Sequence, residues 1–138
     1  MAPSPSSPTA TSVIPGIGSD PVSAVRAGLP YAAVEHVRDQ LDVSDEVLAR
    51  ALGVSSRTLS RRRDTGTLTT DESDRLVLLA EIIALAQQAL DSDEGARQWL
   101  RTPHALLGGE SPLDHMDTVT GMQEVKTMLY HIEHGMPV

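Results

Sequence analysis

The sequence predicts an all-α fold, and three observations carry the prediction. Aromatic residues are scarce, with one Trp (Trp99), two Tyr (Tyr31, Tyr130) and no Phe. A core must therefore be assembled from Leu, Ile, Val, Ala and Met, which suits helices better than sheets. Apolar residues recur three and four positions apart in successive segments, and no stretch reads as a credible strand. Those segments are also bounded by helix punctuation, with Ser or Thr at their starts and Gly or an X-Pro step at their ends.

The elements follow in order. The opening stretch, MAPSPSSPTATSVIPGIGSDP, has no basic n-region and no continuous apolar h-region, so it does not read as a signal peptide. It reads as a disordered Pro/Ser-rich arm over residues 1–22. After Asp20-Pro21, PVSAVRAG makes a short helix closing at Gly28, and Pro30 suits the first turn of PYAAVEHVRDQL. In that second helix Ala33, Val34, Val37 and Leu41 repeat at helical spacing. Ser44 caps DEVLARALG, where Asp45 and Glu46 meet the positive end of the helix dipole and Gly53 acts as a left-handed terminator. Ser55 caps VSSRTLSRRR, which DTGTL breaks.

Thr69 and Glu72 form a T-x-x-E capping box before LVLLAEIIALAQQAL, Leu76 to Leu90. That segment is apolar almost all round, so it must be buried centrally or against another chain. SDEGARQWL is a further short helix, halted before Thr102-Pro103. HALLGGESPLDHM is a loop broken at Gly-Gly, with a single turn from Pro112. The last helix runs from Val119 to His134, with Thr120 and Gln123 as a second capping box. Its apolar stripe is Met122, Val125, Met128, Leu129 and Ile132, and Gly135 ends it.

The totals narrow the function. A chain of 138 residues has room for one domain with a real core or two small cooperating modules. The absence of cysteine excludes disulfides and thiolate metal sites and suits a reducing cytoplasm. No apolar run approaches the length needed to span a bilayer. His131 and His134 in HIEH stand three apart, whereas a zinc-protease helix needs H-E-x-x-H with histidines four apart. No serine or acid shows nucleophile–base spacing either. The chain is therefore expected to be no enzyme and to hold no metal or cofactor.

Charge is distributed unevenly. Eleven basic residues face nineteen acidic ones, for a net charge of −8. Yet Arg57, Arg61, Arg62 and Arg63 crowd into GVSSRTLSRRRDTG, residues 53–66. Fields act locally because salt screens them within about 8–10 Å. Ala49, Gly53 and Leu59 have the spacing of a helix-turn-helix: a small residue at the crossing, a glycine in the turn, a branched anchor in the second helix. Leu48, Leu52 and Val54 fill neighbouring inward positions. A helical wheel turns Leu59 inward, with Thr58 and Arg62 beside it, and puts Ser56, Arg57, Ser60 and Arg61 on the opposite face. Residues Ser55, Ser56, Arg57, Thr58, Ser60, Arg61, Arg62 and Arg63 are thus the expected DNA-binding set. Arg57 and Arg61 suit base edges, and Arg62 and Arg63 suit phosphates.

Beyond this hairpin the order of motifs becomes specific. Residues 23–138, through ESDRL, WLRTP, LLGG, SPLD and the ending IEHG with its short hydrophobic tail, resemble the Xre/MbcA/ParS antitoxin family. The resemblance implies a partner that is a RES-domain toxin, related in fold to ADP-ribosyltransferases and destructive of NAD. It implies that the C-terminal region closes the toxin's substrate pocket while the helix-turn-helix, usually in a homodimer, represses a shared promoter by binding operator DNA. On that basis residues 23–68 are the Xre-like helix-turn-helix domain and residues 69–138 the toxin-binding, and also dimerising, domain. The expected toxin contacts are Arg101, Pro103, His104 and Leu107 in RTPHALLGG, then Tyr130 and Glu133. Gly135, Met136, Pro137 and Val138 form the tail that caps or plugs the pocket. Tyr130 lies opposite the last helix's apolar stripe and so faces outward, whereas Trp99 serves either as an interface anchor or as core. The competing reading is a stand-alone helix-turn-helix regulator whose C-terminal half dimerises or senses a ligand.

Overall fold

Short polar side chains start nearly every helix in the computed structural model, which describes residues 13–15, 17–18 and 20–135. Helix α1 (Pro21–Ala27) begins at Asp20, whose carboxylate accepts from the Ser23 amide at 3.2 Å, and α2 (Tyr31–Leu41) follows Pro30. Helices α3 (Asp45–Ala51) and α4 (Ser56–Thr65) are capped by Ser44 and Ser55 through the Val47 and Thr58 amides. The long α5 (Thr70–Leu90) opens with the Thr69–Glu72 capping box formed in both directions. Ser92, Ser111 and Thr118 cap α6 (Asp93–Arg101), the single turn α7 (Pro112–His115) and α8 (Val119–Glu133). A 3-10 turn over Ala105–Leu107 lies between α6 and α7. No strand occurs among the described residues, only one antiparallel bridge between Pro30 and Thr67.

Helix α5 is the axis. It packs along α8 and α6 and touches α1 and α2, while α3 lies against α4 and α7, and α7 joins α3, α6 and α8. One apolar cluster runs through the whole assembly, from Leu29, Val34, Leu48 and Leu59 to Leu100, Met116, Met122 and Leu129. Leu76, Leu79, Ala80, Ile82, Ile83, Ala84 and Ala86 bury most of the circumference of α5 within the chain itself, and Val77, Leu78 and Leu85 are half-buried.

Two expectations change. The arm predicted over residues 1–22 does not extend that far, because Val13, Ile14 and Ile17 are buried in the common core. A composition rich in Pro and Ser hides three aliphatic side chains with enough apolar surface to dock. The cap of α8 is Thr118, accepting from the Gly121 amide at 2.9 Å, not Thr120 with Gln123. Gly121 explains the choice: a Cβ there would fall 1.8 Å from the His115 carbonyl oxygen, so only glycine lets α8 start this close to α7.

Candidate functional site

The helix-turn-helix forms as its spacing predicts. Ala49 and Leu59 are buried, at 1% exposure each, where α3 and α4 meet. Gly53 turns the chain with φ +72, and the Val54 amide donates back to the Ala49 carbonyl. Leu59 is the sole buried residue of α4, so the rest of that helix is free to present polar groups.

Its arginines separate into two kinds. Arg57, Arg61 and Arg63 are exposed, and among the described residues none of them forms an ion pair. Arg61 and Arg63 donate only to Thr58 and Ser60 one turn back, at 3.2 and 3.0 Å. Ser55 and Ser56 are exposed, and Thr58 and Ser60 half-buried. Arg62 instead turns to the protein, its Nε donating to Glu72 Oε1 at 2.8 Å. Burial alone would push the Glu72 carboxyl up, but the Arg62 guanidinium and the Thr69 amide outweigh it and hold the group below the ordinary carboxylate value. The expected arginine cluster is therefore three free cations plus one structural one.

In the C-terminal half the loop after α6 closes on itself, the His104 amide donating to the Glu110 carbonyl and the Gly109 amide to the His104 carbonyl. Trp99 packs on the core with its ring 5.0 Å from that of His104. Pro103 is exposed, and Arg101 lies 3.6 Å from Asp42 of the helix-turn-helix half. Leu106, which sequence reading passed over, is 64% exposed. Leu107 beside it is buried and, with Thr120, Met128 and His131, lines an open groove of about 470 Å³ against α8. Consecutive residues of a 3-10 turn point in different directions, and nothing in LLGG says which leucine faces out. Tyr130 is 51% exposed as expected, its ring 4.2 Å from that of His134, and Glu133 accepts from Gln88. Gly135 is exposed with φ +66, and Met136, Pro137 and Val138 lie outside the described residues.

A charged clasp joins α7 to α8. His115 bonds to Glu124 through Nε2 and to Glu110 through Nδ1 at 3.2 Å. The Glu124 and then the Glu110 carboxylate raise its pKa above the usual histidine value. No group of three or more His, Asp or Glu among the described residues is placed to hold a metal ion. No helix among them is long and apolar enough to cross a membrane.

Comparison with known proteins bears on both halves. Residues 20–81 match the antitoxin Xre-like helix-turn-helix domain, and residues 85–135 match the antitoxin Xre/MbcA/ParS C-terminal toxin-binding domain. An Antitoxin Xre of Yersinia enterocolitica is 30% identical over 117 residues, 83% of this chain and 79% of that one. The chain belongs to the Xre/MbcA/ParS antitoxin family. A Sphingobium protein named Prs ADP-ribosylating antitoxin is 25% identical over 126 residues, 84% of this chain and 79% of its own. The fold is that of a chain in the M. tuberculosis MbcT–MbcA toxin–antitoxin complex, with a TM-score of 0.57 and 21% identity over 78% of this chain and 96% of that one. The two regions matched to this antitoxin family meet inside α5, the helix that packs against both.

Proposed function

We propose that this antitoxin binds a RES-domain, NAD-degrading toxin through its C-terminal region, closing the toxin's active site, and represses its own operon through α4. The observation that carries the reading is the pairing of two unlike surfaces on one core. One is the face of α4, with Arg57, Arg61 and Arg63 free of carboxylates; the other is the Leu106–Met128 groove, with Tyr130 on the same helix, inside the region matched to toxin-binding domains. Positive charge concentrated on α4 suits a polyanion, since phosphate contacts supply most affinity for duplex DNA. Arg101, Pro103, His104, Leu107, Tyr130, Glu133 and the tail from Gly135 to Val138 are the proposed toxin contacts.

The antitoxin works as a homodimer in this reading, because helix-turn-helix proteins read two half-sites about 34 Å apart. Val22 and Val119, 57% and 46% exposed, flank Val77 and Leu78 on one strip of α1, α5 and α8. Arg26 and Asp74 line the same strip, so a two-fold axis that sets Arg26 of one copy against Asp74 of the other would pair opposite charges twice.

The proposal places a RES-domain protein in the adjacent reading frame, and co-expression with that neighbour tests it. The expected result is a stable complex on pull-down, restored growth and preserved cellular NAD. A RES-domain neighbour that yields neither complex nor rescue refutes it. Removing residues 135–138 should weaken neutralisation and leave promoter binding intact.

A further inference from the structure

A helix held to its domain by one apolar anchor can roll about that anchor, and α4 buries only Leu59. Base readout tolerates little roll, because each side chain must meet a donor and acceptor pattern fixed in the groove. The first two turns of α5, which carry the ESDRL segment, supply restraints at both ends of α4. At the C-terminal end Glu72, its side chain 8% exposed, receives Arg62 Nε at 2.8 Å on the same oxygen that takes the Thr69 amide at 2.9 Å. At the N-terminal end Arg75 reaches into the α3–α4 turn, its Nε donating to the Ala51 carbonyl at 3.3 Å. Its guanidinium occupies the space beneath Gly53, where a Cβ would come within 2.9 Å of Cζ. The far side of the same guanidinium is fixed by Nη2 donating to the Asp117 carbonyl at 2.7 Å. Between them Ser73 Oγ accepts from the buried Leu29 amide at 2.9 Å, which locks this turn of α5 to the α1–α2 connection. Rigid supports of this kind, remote from the contact itself, set the precision of a recognition surface.

We propose that Glu72 and Arg75 are positioning residues for operator recognition, clamping the two ends of α4 so that its exposed arginines and serines meet the bases in one register. The proposal rests on the reading of α4 as the DNA-contacting helix. Neither residue touches DNA; each acts through another group, Glu72 through Arg62 and Arg75 through the turn.

The test uses the full chain, duplex DNA from immediately upstream of its own reading frame, and a scrambled duplex of equal length. The variants are Glu72→Gln, which keeps an acceptor for the Thr69 amide, and Arg75→Met, which keeps the aliphatic stem. Each should lower the promoter-to-scrambled affinity ratio about tenfold, comparable with loss of one good base contact. Scrambled-DNA affinity should not fall with Glu72→Gln, since removing an acid favours every duplex, and its salt slope should stay that of the parent. Placing Glu72→Gln in an Arg62→Met background should cost no further specificity.

A merely structural role would instead shrink the folded population and weaken both duplexes by one factor, and that outcome overturns the clamp. So does a ratio within twofold of the parent in both variants. Circular dichroism checks that each variant folds; if Glu72→Gln does not, Arg75→Met at the other end of the helix decides. A parent chain that shows no preference for its promoter removes the DNA reading itself and the clamp with it, an outcome distinct from a specific parent with indifferent variants.

Discussion

Arg62 and Arg63 are adjacent in sequence and opposite in role. One points inward to Glu72 at 2.8 Å, and the other stands in solvent with Ser60 as its nearest donor target. Their substitutions should therefore separate. Arg63→Ala should weaken binding to all DNA alike and flatten the salt slope by about one unit. Arg62→Ala leaves a nearly buried carboxylate without its guanidinium and should lower stability, read as a fall in the denaturation midpoint. Arg57→Ala or Arg61→Ala should cost about 1–3 kcal/mol on the operator and relax preference at one base position, measurable by binding to a panel of singly altered sites. Unchanged binding in all three exposed-arginine variants would mean that α4 does not read DNA. At this scale the arginine cluster was legible in the sequence, but its division was not. A helical wheel puts Arg62 beside Leu59, yet only the fold brings up a carboxylate ten residues away to claim it.

At the level of elements the junction of α7 and α8 is the most constrained. Gly121 lies against the His115 carbonyl, with room for no Cβ. Gly121→Ala should force α8 outward and lower stability by about 1–3 kcal/mol, the usual cost of overpacking, in urea unfolding. The His115 side chain closes the same junction, and its protonated form can donate to Glu110 and Glu124 together. Its folded-state pKa is raised above 6.5, so its stabilisation is complete below that value and fades as pH rises through the folded pKa. His115→Gln should remove that slope on the alkaline side of 6.5 and leave the acid side parallel to the parent. An identical slope in the variant would show that the clasp does not contribute. Helix starts at Ser44, Ser55 and Thr69 could be read directly because a cap bonds an amide only two or three residues on. The start at Thr118 could not, since T-V-T offers two threonines and the choice depends on which residue must slide under α7.

For the whole molecule the continuous core matters more than the two functional halves. Leu59 beneath α4 and Leu129 beneath the groove belong to one cluster, and α5 passes from the region matched to the helix-turn-helix into the region matched to toxin binding. The chain should therefore unfold in one step, with Trp99 fluorescence and far-UV circular dichroism tracing the same denaturant curve. Two resolved transitions would show that the halves are independent domains.

What the sequence determined by itself was local or additive: an all-helical chain, its caps and turns, the helix-turn-helix spacing, and a positive patch on an acidic background. Each depends on residues within a turn or two of one another, or on simple sums. The tertiary structure alone decided that Arg62 is structural, that Leu106 rather than Leu107 faces solvent, and that Val13, Ile14 and Ile17 join the core. Those outcomes depend on groups far apart along the chain, which local periodicity cannot register and which meet only when α5 draws both halves around itself.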